Sequence, residues 1–305
     1  MKKHPASSIP SAKPNLVLGI AQNYTLAQIE PFLISLRRTG YNDEIVLFHQ
    51  GMETAALSVL RKAGVTLMPL RNLRGMFRSP TTRRWVDWFS QKYYQHKWPF
   101  YKEGWPHLLS AAKQRYLLYH GYLRAMGHRY ERVLLTDTRD VFFQADPFAS
   151  APGEDLVFFE ESHPISHGGL NSVWMICHLG RETLARLSSK MTICSGTVLG
   201  KPKAISFYLE RFITLMRTAD CLSSSTGDQA IHNAVVYEGL EDFPFSIRIA
   251  QNGTGPVYTL SRYLQASQIR QSNEGQVLDE NGRVVPILHQ YDRHPAISQA
   301  LLKKL

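Results

Sequence analysis

Apolar runs of strand length alternate with amphipathic segments of helix length through the first 70 residues, and this alternation constrains the fold most. Residues 15–21 form an apolar run typical of a strand covered on both faces, and residues 26–38 repeat apolar side chains at helical spacing. Further strands at 44–48 and 65–68 flank a helical stretch at 54–63. We therefore predict an α/β fold with a mostly parallel central sheet flanked by helices.

Length and composition are those of a folded protein. The 305 residues are enough to bury a substantial core, and 44% hydrophobic with 20% charged residues argues against wholesale disorder and against a membrane bundle. No apolar run approaches the roughly 20 residues that cross a bilayer. Prolines interrupt residues 1–14, which we expect to be a flexible leader rather than a secretory signal. We expect one domain over 15–295 and a tail at 296–305.

Cysteine usage and net charge indicate a compartment and a class of partner. Cys177, Cys194 and Cys221 form no metal-binding pair and leave an odd thiol if two are bridged, which favours a reducing compartment and a cytoplasmic location. The formal charge of +10 indicates anionic partners: nucleotide diphosphates, an acidic acceptor, a membrane surface or nucleic acid. Peripheral membrane contact is conceivable, although the sequence has no strong amphipathic anchor.

A basic, aromatic-rich insertion at about 71–108 interrupts the strand and helix alternation. Arginine and aromatic side chains together are found on nucleic-acid surfaces, where bases stack and phosphates meet cations. Nothing else in the chain resembles an RNA or DNA module. We therefore expect a loop and helix packed against the sheet, or a flap over an acceptor site, and no nucleic-acid partner.

Two acids follow a buried strand in the middle of the chain. A helix at 111–126 leads into an apolar strand at 132–136, and Asp137 and Asp140 come directly after it. Open α/β sheets place their ligands at this end of their strands. Acids three apart in a continuous strand point to opposite faces, so the strand must end and turn for both to reach one ion. A divalent cation such as Mn²⁺ or Mg²⁺ suits carboxylate oxygens and leaves positions for phosphate and water. The alternative is a turn with a structural salt bridge.

The segment 141–148 continues this motif with a hydrophobic strand and a proline-containing turn. It resembles the segment after the metal-binding acids of GT-A glycosyltransferases, in a layout similar to the glycogenin-like and bacterial galactosyltransferase-like groups. Those groups carry Asp-x-Asp, whereas this chain has Asp-x-x-Asp with Arg139 inside, which indicates a different branch. The resemblance spans roughly residues 15–293 and implies a GT-A fold.

Four further segments occur in the order of that family. The resemblance implies that Ala21, Asn23 and Tyr24 cradle the base and ribose of a nucleotide. It implies that Ser195 and Gly196 line the sugar pocket, that Asp228 faces the donor sugar and acceptor, and that His289 completes the metal shell.

Each of these segments also has a structural interpretation. The alternatives are that Tyr24 packs at a helix start, that residues 194–200 form a glycine-bearing buried strand, and that Asp228 is an N-cap. His289 can be a hydrogen-bonded histidine; if it binds the ion, Mn²⁺ is favoured over Mg²⁺.

The function implied by the resemblance is metal-dependent transfer of a sugar from a nucleotide-diphosphate donor to an unidentified acceptor: a glycan, a lipid or a protein. Arg139 and Arg115 would assist with the diphosphate charge, unless Arg139 neutralises its neighbours and Arg115 lies on a solvated helix face. Asp228 would contact the donor sugar or act as a general base. Glu160 and Glu161 could serve instead, or simply be solvated.

Three other functions are compatible with such a sheet. A nucleotidyltransferase on a sugar phosphate would use a similar metal, but no glycine-rich phosphate loop follows the first strand. A phosphatase with an aspartate nucleophile would carry its acidic motif after the first strand rather than near residue 137. A catalytically silent nucleotide-sugar-binding protein is the non-enzyme alternative.

Overall fold

A seven-stranded sheet organises the computed structural model, which describes residues 13–70, 109–167, 169–219 and 227–305. Its strands lie in the order β3-β2-β1-β4-β7-β6-β8. They are β1 (Leu16–Gln22), β2 (Glu44–Gln50), β3 (Val65–Pro69), β4 (Val133–Thr136), β6 (Leu156–Pro164), β7 (Met191–Gly200) and β8 (Ile247–Ala250).

Strand direction confirms the predicted mostly parallel sheet. β3, β2, β1 and β4 are parallel neighbours, and β6 pairs in parallel with β8. Only β7 of these seven strands runs against its neighbours, since it is antiparallel to both β4 and β6. The continuous apolar sequence of β1 follows from this position, because Leu16, Val17 and Leu18 are all fully buried between two covered faces.

Helices cover both faces of the sheet. They are α1 (Leu26–Arg38), α2 (Thr54–Lys62), α3 (Ala111–Met126), α4 (Leu170–Leu187), α5 (Pro202–Thr218), α6 (Asp228–Glu238) and α7 (Pro295–Leu302). Apolar side chains of α3, α5 and α6 form the core on one face. Those of α1 and α2 share the core of the other face with a second, smaller sheet. The predicted fold class, with helices flanking the sheet, is therefore confirmed.

The smaller sheet has the order β5-β10-β9, with β5 (Val141–Phe143), β9 (Val257–Thr259) and β10 (Ile287–His289). β5 follows β4 after four residues, 137–140. These four residues, the acidic turn, therefore form the junction between the two sheets. Antiparallel pairing places His289 opposite Val141, one residue beyond that turn. This register brings a residue from near the C-terminus to the end of a central strand.

Several expectations about the ends and insertions have different outcomes. Residues 1–12 of the leader and the insertion at 71–108 lie outside the described residues. The expected tail contains α7, in which Ile297 and Leu301 are buried. Among the helices of the described residues, none has the length and apolar character needed to span a membrane.

Two of the cysteines lie among the described residues, and they differ in their bonding. Cys177 is disulfide-bonded, and Cys194 is free and buried. The disulfide removes the cysteine argument for a reducing compartment, because such bonds persist mainly in oxidising ones. The cytoplasmic location therefore stays a prediction.

Candidate metal centre

The acidic turn is held in place by backbone and side-chain hydrogen bonds to two neighbouring strands. The N–H of Asp137 donates to the carbonyl of Gly196 at 2.7 Å. The Thr138 hydroxyl donates to the carbonyl of Ile20, also at 2.7 Å. β4 ends at Thr136 and β5 begins at Val141, so the chain leaves the strand at the acids, as the spacing of the two carboxylates requires.

The structure brings Asp137, Asp140 and His289 together. One oxygen or nitrogen from each lies within 4.8 Å of the others. The Nε2 atom of His289 is 3.5 Å from an oxygen of Asp137 and 3.9 Å from an oxygen of Asp140. Two carboxylates and an imidazole are a donor set that Mn²⁺ accepts well, and the imidazole makes pure Mg²⁺ chemistry less suitable.

Two observations show that a cation fits among these side chains. His289 is 2% exposed, and its Nε2 atom has no hydrogen-bond partner in the described part of the chain. A Cβ atom added to Gly196 would lie 2.6 Å from an oxygen of Asp137 and 2.7 Å from Nε2 of His289. The absent side chain of Gly196 therefore leaves open the position toward which both groups point, and an orphaned buried nitrogen faces that position.

The electrostatics favour a positive charge at this place. Burial would raise the pKa of Asp137, but Arg115 and His289 overcome it and lower the pKa to about 2. Burial raises the pKa of Asp140, and the Asp137 charge adds to that effect. Burial would lower the pKa of His289, yet Cys194, Asp137 and Asp140 raise it well above its usual value. A proton or a metal ion between the three side chains would offset the carboxylate charges and give Nε2 of His289 a partner.

Arg115 is buried at the centre of the site, which rules out the interpretation that it lies on a solvated helix face. Its side chain is 9% exposed and bridges two acids, with Nη1 2.5 Å from Asp137 and Nη2 2.7 Å from Asp228. Nη2 also donates to the carbonyl of Ser195 at 3.0 Å. Arg115 is therefore already bonded to protein acceptors, so its contact with a diphosphate stays a prediction.

Asp228 is the first residue of α6 rather than its N-cap. The N-cap position is taken by Gly227, whose φ of 98° lies in the left-handed region. One carboxylate oxygen of Asp228 accepts from Arg115, and the Tyr116 hydroxyl lies 3.5 Å from the same oxygen. The other oxygen has no hydrogen-bond partner in the described residues, so one acceptor of Asp228 remains unused there.

Glu160 and Glu161 do not join the group of Asp137, Asp140 and His289. Glu161 is 4% exposed, and its two oxygens accept from His163 and Gln229, each at 3.1 Å. Burial raises the pKa of Glu160. Gln229 follows Asp228 in α6, so the buried Glu161 network supports the start of that helix.

The residues at the end of β1 and just after it lie close to Asp137 and Asp140. Ala21 is buried in β1, and Asn23 adopts a left-handed backbone with a φ of 57° while donating its N–H to Gln50. Tyr24 packs partly against the core beneath α1. Burial, followed by the charges of Asp137 and Asp140, raises the pKa of Tyr24 to about 12. Tyr24 thus combines packing with a place beside the metal site.

Two basic side chains stand at the exposed edge of the site. Arg139 is 39% exposed and contacts Asp140 at 3.8 Å and Asp292 at 3.5 Å. Arg293, which sequence reasoning did not select, is 36% exposed and also approaches Asp140 at 3.8 Å. Arg293 is only four residues after His289 in the sequence, and this short separation was the available sign that it could reach the same site. In the structure, Gln290 between them adopts a left-handed backbone with a φ of 56°.

No model of a protein family matches the sequence, and no curated protein matches it. Solved structures do match. One is core-mannan synthase A from Aspergillus fumigatus in its Mn/GDP form, with 10% identity over 82% of this chain and 76% of that chain, at a TM-score of 0.43. Another is WbbM, a bifunctional glycosyltransferase in its apo form, with 12% identity, 80% and 39% coverage, and a TM-score of 0.44. This chain thus spans about two fifths of WbbM.

Proposed function

We propose that this chain is a metal-dependent glycosyltransferase that moves a sugar from a nucleotide-diphosphate donor to an acceptor. The observation that carries the proposal is the group of Asp137, Asp140 and His289 at the end of a central strand, with a buried Nε2 atom that lacks a partner. Such a place in an open α/β sheet is where ligands bind. The name of the Mn/GDP-form mannan synthase agrees with a manganese ion and a nucleotide diphosphate.

Asp137, Asp140 and His289 would hold the divalent ion, with Mn²⁺ favoured by the imidazole. A bound cation would stabilise the negative charge that grows on the departing diphosphate. Arg139 and Arg293 are both more than one third exposed beside Asp140, so they can reach phosphate oxygens from the solvent side.

Asp228 would meet the sugar or the acceptor. Its free oxygen can accept a hydroxyl proton or a hydrogen bond, while its other oxygen is fixed by Arg115. Because Arg115 also holds Asp137, one buried guanidinium sets the distance between the metal-binding acid and the acid that faces the substrate. Tyr24, beside the two metal-binding acids, would contact the nucleoside.

The test is metal-dependent turnover of a panel of nucleotide sugars by the purified chain. We expect Mn²⁺ to support release of nucleoside diphosphate and sugar from one donor. Asp140→Asn should lower that rate by at least about 100-fold, as expected when charge stabilisation in the transition state is lost. Asp155→Asn is the matched control, because Asp155 comes just before β6, at the end of the strands opposite to the acids, and pairs with Lys201.

Each alternative gives a different result in this assay. Release of pyrophosphate would favour a nucleotidyltransferase instead. Nucleotide binding without turnover of any donor would favour a silent binding protein. Equal rates for Asp140→Asn and the parent chain would contradict the metal site itself.

A further inference from the structure

The buried thiol of Cys194 contacts Nδ1 of His289, the ring nitrogen on the side away from the candidate cation. Cys194 Sγ lies 3.1 Å from Nδ1 of His289, and the thiol is 1% exposed. The N–H of Gly196 also donates to this sulfur, at 3.4 Å. Cys194 is the free cysteine of the described residues, so the sulfur is available as a hydrogen-bond acceptor.

The two nitrogens of His289 have different surroundings, and this difference fixes how the ring must be protonated to bind a metal. Nε2 faces Asp137 and Asp140 and has no hydrogen-bond partner in the described chain. A metal ligand needs a lone pair on Nε2, so the single proton of the neutral ring has to be on Nδ1. That proton points at Cys194 Sγ, which must then accept it.

We propose that Cys194 is a positioning residue for the metal centre: its sulfur accepts the Nδ1–H of His289 and holds the ring with Nε2 toward the cation. The inference rests on the proposed metal-dependent function and deepens it. Histidine ligands commonly donate their second N–H to a fixed acceptor, and loss of that acceptor typically costs 10- to 100-fold in metal affinity.

One strand supplies both halves of this arrangement. Cys194 and Gly196 are two residues apart in β7, so they lie on the same face of the strand. Cys194 contacts the ring of His289, and Gly196 leaves the space in front of Nε2. Thr197, which follows, is paired with Thr136 of β4, and this register keeps β7 fixed relative to the acidic turn.

The test measures Mn²⁺ affinity directly, from the electron paramagnetic resonance signal of free Mn²⁺, and needs no donor or acceptor. Cys194→Ala removes the acceptor and should weaken Mn²⁺ binding by about 10- to 100-fold. Cys194→Ser retains an acceptor oxygen and should restore most of the affinity. Ile193→Val is the matched control: it shortens a fully buried neighbour on the other face of β7 and should bind Mn²⁺ like the parent chain.

A spectroscopic measurement separates positioning from simple loss of packing. In the parent chain loaded with diamagnetic Zn²⁺, which accepts both imidazole and carboxylate ligands, long-range ¹H–¹⁵N spectra should show His289 protonated at Nδ1 and without a proton at Nε2. In Zn²⁺-loaded Cys194→Ala the Nδ1–H has no sulfur to donate to, so its proton signal should move upfield or be lost to exchange with water, whereas Cys194→Ser should keep it near the parent position. If Cys194→Ala fails to fold, Cys194→Ser and the parent chain still give the tautomer result.

The outcomes distinguish this inference from the proposed function. Parent-like Mn²⁺ affinity in Cys194→Ala, together with a large loss in His289→Ala, would overturn the role of Cys194 and leave the metal centre intact. Parent-like affinity in His289→Ala would overturn the metal centre itself. An Nε2-protonated ring in the Zn²⁺-loaded parent chain would also contradict the inference.

Discussion

Replacing Gly196 with alanine tests the candidate metal centre with a single methyl group. The new Cβ would lie 2.6 Å from an oxygen of Asp137, 2.7 Å from Nε2 of His289 and 2.8 Å from its Cε1. Contacts below 3.0 Å force these atoms to move. The backbone of Gly196 has no positive φ, so alanine can adopt it and the expected effect is steric. We expect overpacking to cost about 1–3 kcal/mol of stability without metal.

The effect on metal binding follows from ligand linkage. At a Mn²⁺ concentration of 100 times the parent Kd, binding should stabilise the parent chain by about 2.7 kcal/mol. If the methyl group weakens Mn²⁺ binding 100-fold, the same concentration stabilises Gly196→Ala by only about 0.4 kcal/mol. The assay is urea unfolding of both proteins with and without Mn²⁺.

Gly121→Ala is the matched control for this experiment. Gly121 lies in α3 with no heavy atom within 4 Å of an added Cβ. Alanine there should raise stability by about 1 kcal/mol through helix propensity and leave the Mn²⁺ effect unchanged. An equal Mn²⁺ stabilisation of Gly196→Ala and the parent chain would refute the argument that a cation occupies the space in front of His289.

Three further changes have distinct expected results. Arg115→Met removes the buried cation from two acids and should lower the free energy of unfolding by about 3 kcal/mol, and adding Asp228→Asn should recover part of that loss in urea titrations. His232 is fully buried, and burial, followed by the charge of Arg115, lowers its pKa to about 3. The unfolded chain therefore binds this proton at a higher pH than the folded chain, and the free energy of unfolding falls as the pH drops below about 6.5. Between pH 7 and 5 this should cost the parent chain about 2 kcal/mol more than it costs His232→Gln, and equal slopes would contradict it. Phe212→Ala removes a fully buried ring stacked on Tyr116 at 3.5 Å and should cost about 4 kcal/mol, with Mn²⁺ affinity unchanged in the folded protein.

The sheet was predictable because local pattern and tertiary position agree. Residues 26–38 and 111–126 are helices with the same bounds as their periodicity indicates, and the strands differ from expectation by a few residues at their ends. Buried parallel strands leave a strong apolar signal, which is why the first strand was visible. The turn at Asp137 was equally visible, since two acids after such a strand cannot both stay in it.

What sequence reasoning missed depends on contacts between distant residues. Arg115 has the sequence setting of a surface cation, and only its side-chain contacts with Asp137 after β4 and with Asp228 of α6 show that it is buried between acids. Cys194 contacts His289 across 95 positions in the chain, and no local pattern indicates that pair. Sequence reasoning offered Asp228 as an N-cap, but Gly227 takes that position with a left-handed backbone. The Asp228 carboxylate binds Arg115 instead of capping the helix.

The junction between the two sheets has a mechanical consequence. Asp137 and Asp140 leave the large sheet, whereas His289 belongs to the middle strand of the small one. An ion held by all three would act as a removable crosslink between the two sheets. Without it, β9 and β10 would open more often, so their amide hydrogens would exchange faster. Chelation would thus loosen the small sheet before it affects the strands at the centre of the large one.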